Sequence, residues 1–238
     1  MVDKILKSQT FQSKVDAKLY RQTIKSLYNN TTADIQSKKP NRKILLLSDS
    51  QGRQCSEKLK AILTRNDNVM SYVYPGAKMK TVVNNVSLLT KDFTLDDFVV
   101  IQSGTNDVDP ECPYQLTLAS AINSIMKLNN KTNVIIYSIP IRYDIDNSQD
   151  LRTANMFIKS YLDKLHLKTI HFVDSWSLLS RDMMTRHGLH LNVRGKSVIV
   201  DDIKRQITFW DTIQRLSNRT MSSNQHFLST ISTNLIFS

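Results

Sequence analysis

The sequence predicts an α/β fold, a three-layer α/β/α sandwich built on a parallel sheet. Two observations carry this. Five apolar runs of strand-like composition recur between residues 43 and 174, each followed by a segment with helical spacing. Strand–helix alternation at that length requires parallel strands with right-handed crossovers. A third observation sets the limits of the domain. A basic, polar stretch precedes residue 41, and a stretch rich in Ser, Asn and Thr follows residue 214.

Taken in order, residues 4–28 place Ile5, Leu6, Phe11, Val15, Leu19, Ile24 and Leu27 at loosely amphipathic helical spacing. The polar run to Pro40 reads as a linker, so residues 1–40 are expected to be a basic helical leader. KILLLS (43–48) is an unbroken apolar run, as expected of a central strand covered on both faces. A helix is expected over 53–65, a second strand over 69–75, and one helix over 78–90 from the spacing of Met79, Val82, Val83, Val86 and Leu89. A third strand follows over 97–103, a helix over 113–129, a fourth strand over 133–140 and a helix over 150–166. The fifth strand spans 169–174, and a last helix runs from about Arg194 to Ile213. The domain is thus expected over 41–214, with a polar C-terminal tail over 215–238.

Composition narrows the function. With 40% hydrophobic and 22% charged residues, the chain reads as globular rather than disordered. No apolar run approaches the roughly 18 residues of a membrane span, and the N-terminus lacks a secretory apolar core. Two cysteines, Cys55 and Cys112, make no disulfide framework, so a cytoplasmic or nuclear setting is expected. Residues 1–43 hold ten basic and three acidic side chains, hence +7 of the net charge of +11. Such an arm attracts polyanions without sequence specificity, which makes nucleic acid a candidate partner. The same charge also serves a merely solubilising extension, and no zinc knuckle or aromatic RNA-binding signature adds to it.

Ligands of open α/β sheets bind outside the carboxyl ends of the strands. Ser50, Gly76 and Asn106 each follow a strand end within two or three residues, and His190 lies in the loop after the fifth strand. A serine hydroxyl becomes nucleophilic when a neighbouring base takes its proton. A glycine amide and an asparagine carboxamide are donors suited to a developing oxyanion. Each residue also has a plain structural reading: helix cap, turn glycine, turn asparagine, surface histidine.

The blocks Ser48-Asp49-Ser50, Gly76, Gly104-Thr105-Asn106-Asp107 and His187-Gly188-Leu189-His190, in this order, resemble those of the SGNH or GDSL hydrolases. The resemblance covers about residues 43–210. It implies a flavodoxin-like five-stranded sheet of order 2-1-3-4-5, a small acyl-ester substrate, and no metal or organic cofactor. It also implies Ser50 as nucleophile, His190 as base, and an oxyanion hole from the Ser50 and Gly76 amides with the Asn106 side chain. Two positions depart from the pattern. Ser48 stands where the family has glycine, and His187 where it has the acid of the triad. A histidine cannot supply the carboxylate's charge. Asp174 or Asp182 is a candidate substitute; otherwise a Ser50–His190 dyad works with a backbone carbonyl orienting the ring, or the pocket is non-hydrolytic. HGLHLNVRGK is also similar to SGNH-like domains of invertebrate and retroelement-associated reading frames. The expected function is therefore an ester hydrolase; the alternative is an inactive SGNH-fold binding module, retroelement-derived and carrying a nucleic-acid-binding arm.

Overall fold

In the computed structural model, which describes residues 41–64, 66–108, 114–144 and 148–213, five parallel strands lie between two helical layers. The chain divides into two units, Met1–Pro40 and Asn41–Ser238, and every described residue belongs to the second. The expected leader helix, the polar tail and Cys112 lie outside the described residues. Strands β1 (Lys43–Ser48), β2 (Asn68–Val73), β3 (Phe98–Gln102), β4 (Asn133–Tyr137) and β5 (Ile170–Val173) pair in the order β2-β1-β3-β4-β5. Between them run α1 (Cys55–Ile62), α2 (Met79–Val82), α3 (Val86–Leu89), α4 (Tyr114–Met126) and α5 (Ser148–Lys164), and α6 follows over 193–213.

The layers follow from the period of two along a strand. Ile44 and Leu46 of β1, Phe98 and Val100 of β3, and Ile135 and Tyr137 of β4 pack with Leu59 of α1 and Ile199, Ile203 and Ile207 of α6. The alternate residues Leu45, Leu47, Val99, Ile101, Val134 and Ile136 pack on the opposite face with Met79, Val86, Leu118, Ile122, Leu151 and Ile158. Both faces of the central strands are covered, which is why their sequences are unbroken apolar runs. Each such side chain contributes roughly 1.5–3 kcal/mol on burial.

Register then decides where the loops emerge. Ser48 pairs with Val73 on one side and Gln102 on the other, so β1, β2 and β3 end together. Tyr137 pairs with Val173, which ends β4 and β5 level. Their loops share one rim. The opposite ends are tied by Asp97, which accepts hydrogen bonds from the Lys43 and Thr94 amides at 2.7 and 2.8 Å.

Two helices differ from expectation. The single helix expected over 78–90 is two short ones, because at the junction Asn84 and Val86 bond back three residues, to Thr81 and Val83. Val83, Asn84 and Asn85 are weak helix formers, while Met79, Val82, Val83 and Val86 still reach the core. The helix expected from residue 53 starts at Cys55, since a separate 3₁₀ turn over Ser50–Gly52 ends at Arg53 and Gln54, with φ +66°, stands between the two.

Candidate active site

Ser50 opens that 3₁₀ turn, directly after β1. The turn is capped by Asp49 rather than by a serine: its Oδ1 accepts the Gln51 amide at 3.0 Å, and its Oδ2 the Thr105 amide at 3.3 Å. A buried carboxylate thus laces the serine turn to the loop after β3. Burial raises the pKa of Asp49, against the backbone amides that favour its charge. Gly52 completes the turn in tight quarters, because a methyl there would lie 2.0 Å from Ser48 Oγ.

Gly76 lies in the loop after β2 with φ +75°, and a side chain added to it would meet open space. Glycine is therefore needed for its conformation rather than for room. In the loop after β3, Asn106 Nδ2 donates to Ala77 O at 3.1 Å, next to Gly76. A carboxamide nitrogen carries two protons, so one is left over. Asp107 Oδ2 accepts the Met79 amide at 2.7 Å, which ties this loop to the start of α2. Among the described residues no hydrogen bond takes up the amide N–H of Ser50 or Gly76.

His190 Nε2 lies 3.0 Å from Ser50 Oγ. With the ring proton on Nδ1, the hydroxyl donates to Nε2, the arrangement a general base requires. Burial first, then the Arg53 and Lys196 charges, hold His190 below the usual imidazole value, against Asp49 and Asp144. This favours the neutral imidazole, the form a general base requires.

The two aspartates expected to stand in for the triad acid are directed elsewhere. Asp174 Oδ1 accepts the Trp176 amide at 3.0 Å and the Ser138 hydroxyl at 3.4 Å. It lines a cavity of about 300 Å³ with Arg152, Asn155, Phe172 and Trp176, to which Ser50, Gly76, Asn106 and His190 do not contribute. Asp182 is exposed, and its carboxylate is taken by the Ser180 hydroxyl and the Arg194 guanidinium. Chain proximity suggested both residues; a backbone amide and an arginine claim them. His187 is exposed on the turn that leads to His190.

Sequence reasoning passed over the residues that do surround the base. Tyr143, in the loop after β4, donates its amide to Gly188 O at 3.0 Å, which docks that loop on the histidine turn. This brings up Asp144, held ionised chiefly by hydrogen bonds from Arg142 at 3.0 and 2.6 Å. Arg142 also donates to Thr105 O at 3.4 Å, beside Asn106. Gln51, next to Ser50, bonds the backbone on both sides of His190. No motif marks these contacts.

Other chemistry is sparse. Burial pushes the Cys55 thiol up to about 11, which disfavours a thiolate nucleophile. Among the described residues no group of three or more His, Cys, Asp or Glu side chains gathers as a metal-ligand set. Nor is any of their helices long and apolar enough to cross a membrane.

No protein-family description and no curated protein matches the chain. Solved structures do. A lipase/acylhydrolase from Enterococcus faecalis is 17% identical with a TM-score of 0.54, covering 69% of this chain and 96% of that one. A member of the lipolytic G-D-S-L family from Veillonella parvula is 20% identical with a TM-score of 0.55, covering 67% and 94%. A catalytic mutant of an acetylxylan esterase from Geobacillus stearothermophilus is 16% identical with a TM-score of 0.53, covering 72% and 96%. The shared feature is the fold. None of these structures carries the expected similarity to retroelement-associated frames, which therefore stays an expectation from the HGLHLNVRGK block.

Proposed function

We propose that this chain, which folds as the G-D-S-L lipolytic hydrolases and acetyl esterases fold, is itself a serine hydrolase of small acyl esters. The observation that carries this reading is the 3.0 Å approach of Ser50 Oγ to His190 Nε2 at a rim where, among the described residues, the Ser50 and Gly76 amides have no hydrogen-bond partner. Ser50 Oγ attacks the ester carbonyl as His190 Nε2 takes its proton. The oxyanion falls to the Ser50 and Gly76 amides and the free proton of the Asn106 carboxamide. Collapse expels the alcohol, which receives the proton from His190, and leaves an acyl-enzyme. A water then attacks, again giving its proton to His190, and the acid leaves as Ser50 is restored.

The reading is of a dyad. Asp49 and Asp144 favour the imidazolium electrostatically, without a carboxylate of the turn at the expected position. The acetylxylan esterase among the similar structures supports a small acyl group. Hydrolysis of p-nitrophenyl acetate by wild type, lost in Ser50→Ala and His190→Ala, is the expected result. Equal rates for the three would remove catalysis.

His187 at the acid position favours a second reading, a binding module that does not hydrolyse. Ligand retention by Ser50→Ala, together with equal background hydrolysis by wild type, is its signature. On either reading the basic residues 1–43 add a non-specific polyanion contact. Deleting residues 1–40 should then flatten the salt dependence of nucleic-acid retention, and an unchanged slope refutes that contact.

A further inference from the structure

The base needs something to hold it, and no carboxylate of its own turn does so. Gln51 is buried, at 1% exposure, and directly follows Ser50. Its carboxamide reaches residues about 140 positions away in the chain. Nε2 donates to Leu189 O at 2.7 Å, and Oε1 accepts the Leu191 amide at 3.2 Å. Those two backbone groups flank His190 on either side. An uncharged carboxamide presents one donor edge and one acceptor edge, which this pair requires. An ionised glutamate has no donor for Leu189 O, leucine has neither group, and asparagine is one methylene short.

Ser50 and Gln51 share one 3₁₀ turn, and Asp49 caps that turn through the Gln51 amide itself. The nucleophile and the clamp on its base are therefore one small rigid piece. A further bond, Thr185 N to His190 O at 2.7 Å, closes the turn from the other side. We propose that Gln51 is the positioning residue that sets the Ser50–His190 geometry, fixing the base through its backbone in place of a side chain on the far ring nitrogen. This rests on the hydrolase reading for its kinetic consequence, but not for its structural one. A backbone clamp fixes where the ring stands and adds no negative charge. It should govern turnover and leave substrate binding alone.

The experiment uses the full chain, p-nitrophenyl acetate, and Gln51→Leu, which keeps volume and removes both bonds. A misplacement of about 1 Å lowers turnover by about 10²-fold, so kcat should fall on that order with KM within about twofold. Placed on His190→Ala, the same substitution should lower residual hydrolysis no further. On His187→Asp, which returns a carboxylate, its cost should shrink. A kcat equal to wild type overturns the inference, as does an equal loss with and without His190.

Histidine-labelled NMR reads the clamp without reference to activity. The His190 ring signal should broaden or split in Gln51→Leu, while that of His171, on β5 and stacked on Trp210 of α6, stays put and reports the fold. An unchanged His190 signal overturns the inference even where the wild type proves inactive. If the leucine variant does not fold, Gln51→Glu, which keeps the acceptor for the Leu191 amide, is read by the same two criteria.

Discussion

Replacing Gly188 with alanine puts a methyl group between the histidine turn and the loop after β4. The residue has φ +77°, and its added Cβ would lie 2.6 Å from Tyr143 Cβ, 2.9 Å from Tyr143 C and 3.1 Å from Asp144 N. Two of these atoms are backbone, so no side-chain rotation relieves the contact. Reaching the 3.4 Å of ordinary contact requires a shift of about 0.8 Å. The left-handed conformation itself costs alanine about 1–2 kcal/mol, and loss of the Tyr143–Gly188 hydrogen bond about 1 kcal/mol more. A loss of about 2–3 kcal/mol lowers Tm by roughly 5–10 °C for a domain of this size. His190 stands two residues on, so any shift taken by the turn moves the base. An approach to 1 Å there lowers kcat by up to about 10²-fold. Thermal melting by circular dichroism and the kinetics of p-nitrophenyl acetate hydrolysis measure both. An unchanged melting temperature together with an unchanged kcat would refute the docking argument.

Asn106→Ala should lower kcat by about 10²–10³-fold with little change in KM, as loss of one oxyanion donor does; an unaltered kcat removes Asn106 from the site. Gly52→Ala should destabilise the chain, since its Cβ falls 2.0 Å from Ser48 Oγ and 2.5 Å from Ser48 Cβ. Adding Ser48→Gly takes away both atoms, and among the described residues the Ser48 hydroxyl has no hydrogen-bond partner to lose, so the double variant should recover. Failure to recover in chemical denaturation would place the strain elsewhere. His171, half-buried and stacked on Trp210, has its pKa lowered by desolvation from 6.5 to about 4. The unfolded chain then binds its proton first, so this contribution is full above pH 6.5 and is lost as pH falls through about 4. The loss is about 3 kcal/mol. Comparison with His171→Phe isolates it, and parallel pH–stability curves for the two proteins would contradict it.

The sheet was legible because KILLLS, DFVVIQS and NVIIYSIP are apolar on both faces, as strands covered on both sides must be. Helical spacing placed Met79, Val82, Val83 and Val86 in the core but was blind to the break between α2 and α3, which depends on where backbone bonding shortens. The serine, glycine, asparagine and histidine were legible for a topological reason: parallel strands that end level deliver their loops to one rim. The supporting contacts were not. Gln51 recognises backbone groups 138 and 140 residues away, and backbone leaves no trace in residue identity. Asp144 arrives through the docking of one loop on Gly188. Asp174 and Asp182 had the right type and neighbourhood, and only the positions of Trp176 and Arg194 show where their charge is used.

Whether Ser50 and His190 act as a nucleophile and its base is tested most directly by covalent labelling. A fluorophosphonate probe, with the modified residue located by tandem mass spectrometry, should attach to Ser50 in the wild type and not in His190→Ala. A folded wild-type protein left unlabelled at Ser50, or labelled equally without His190, would contradict the account.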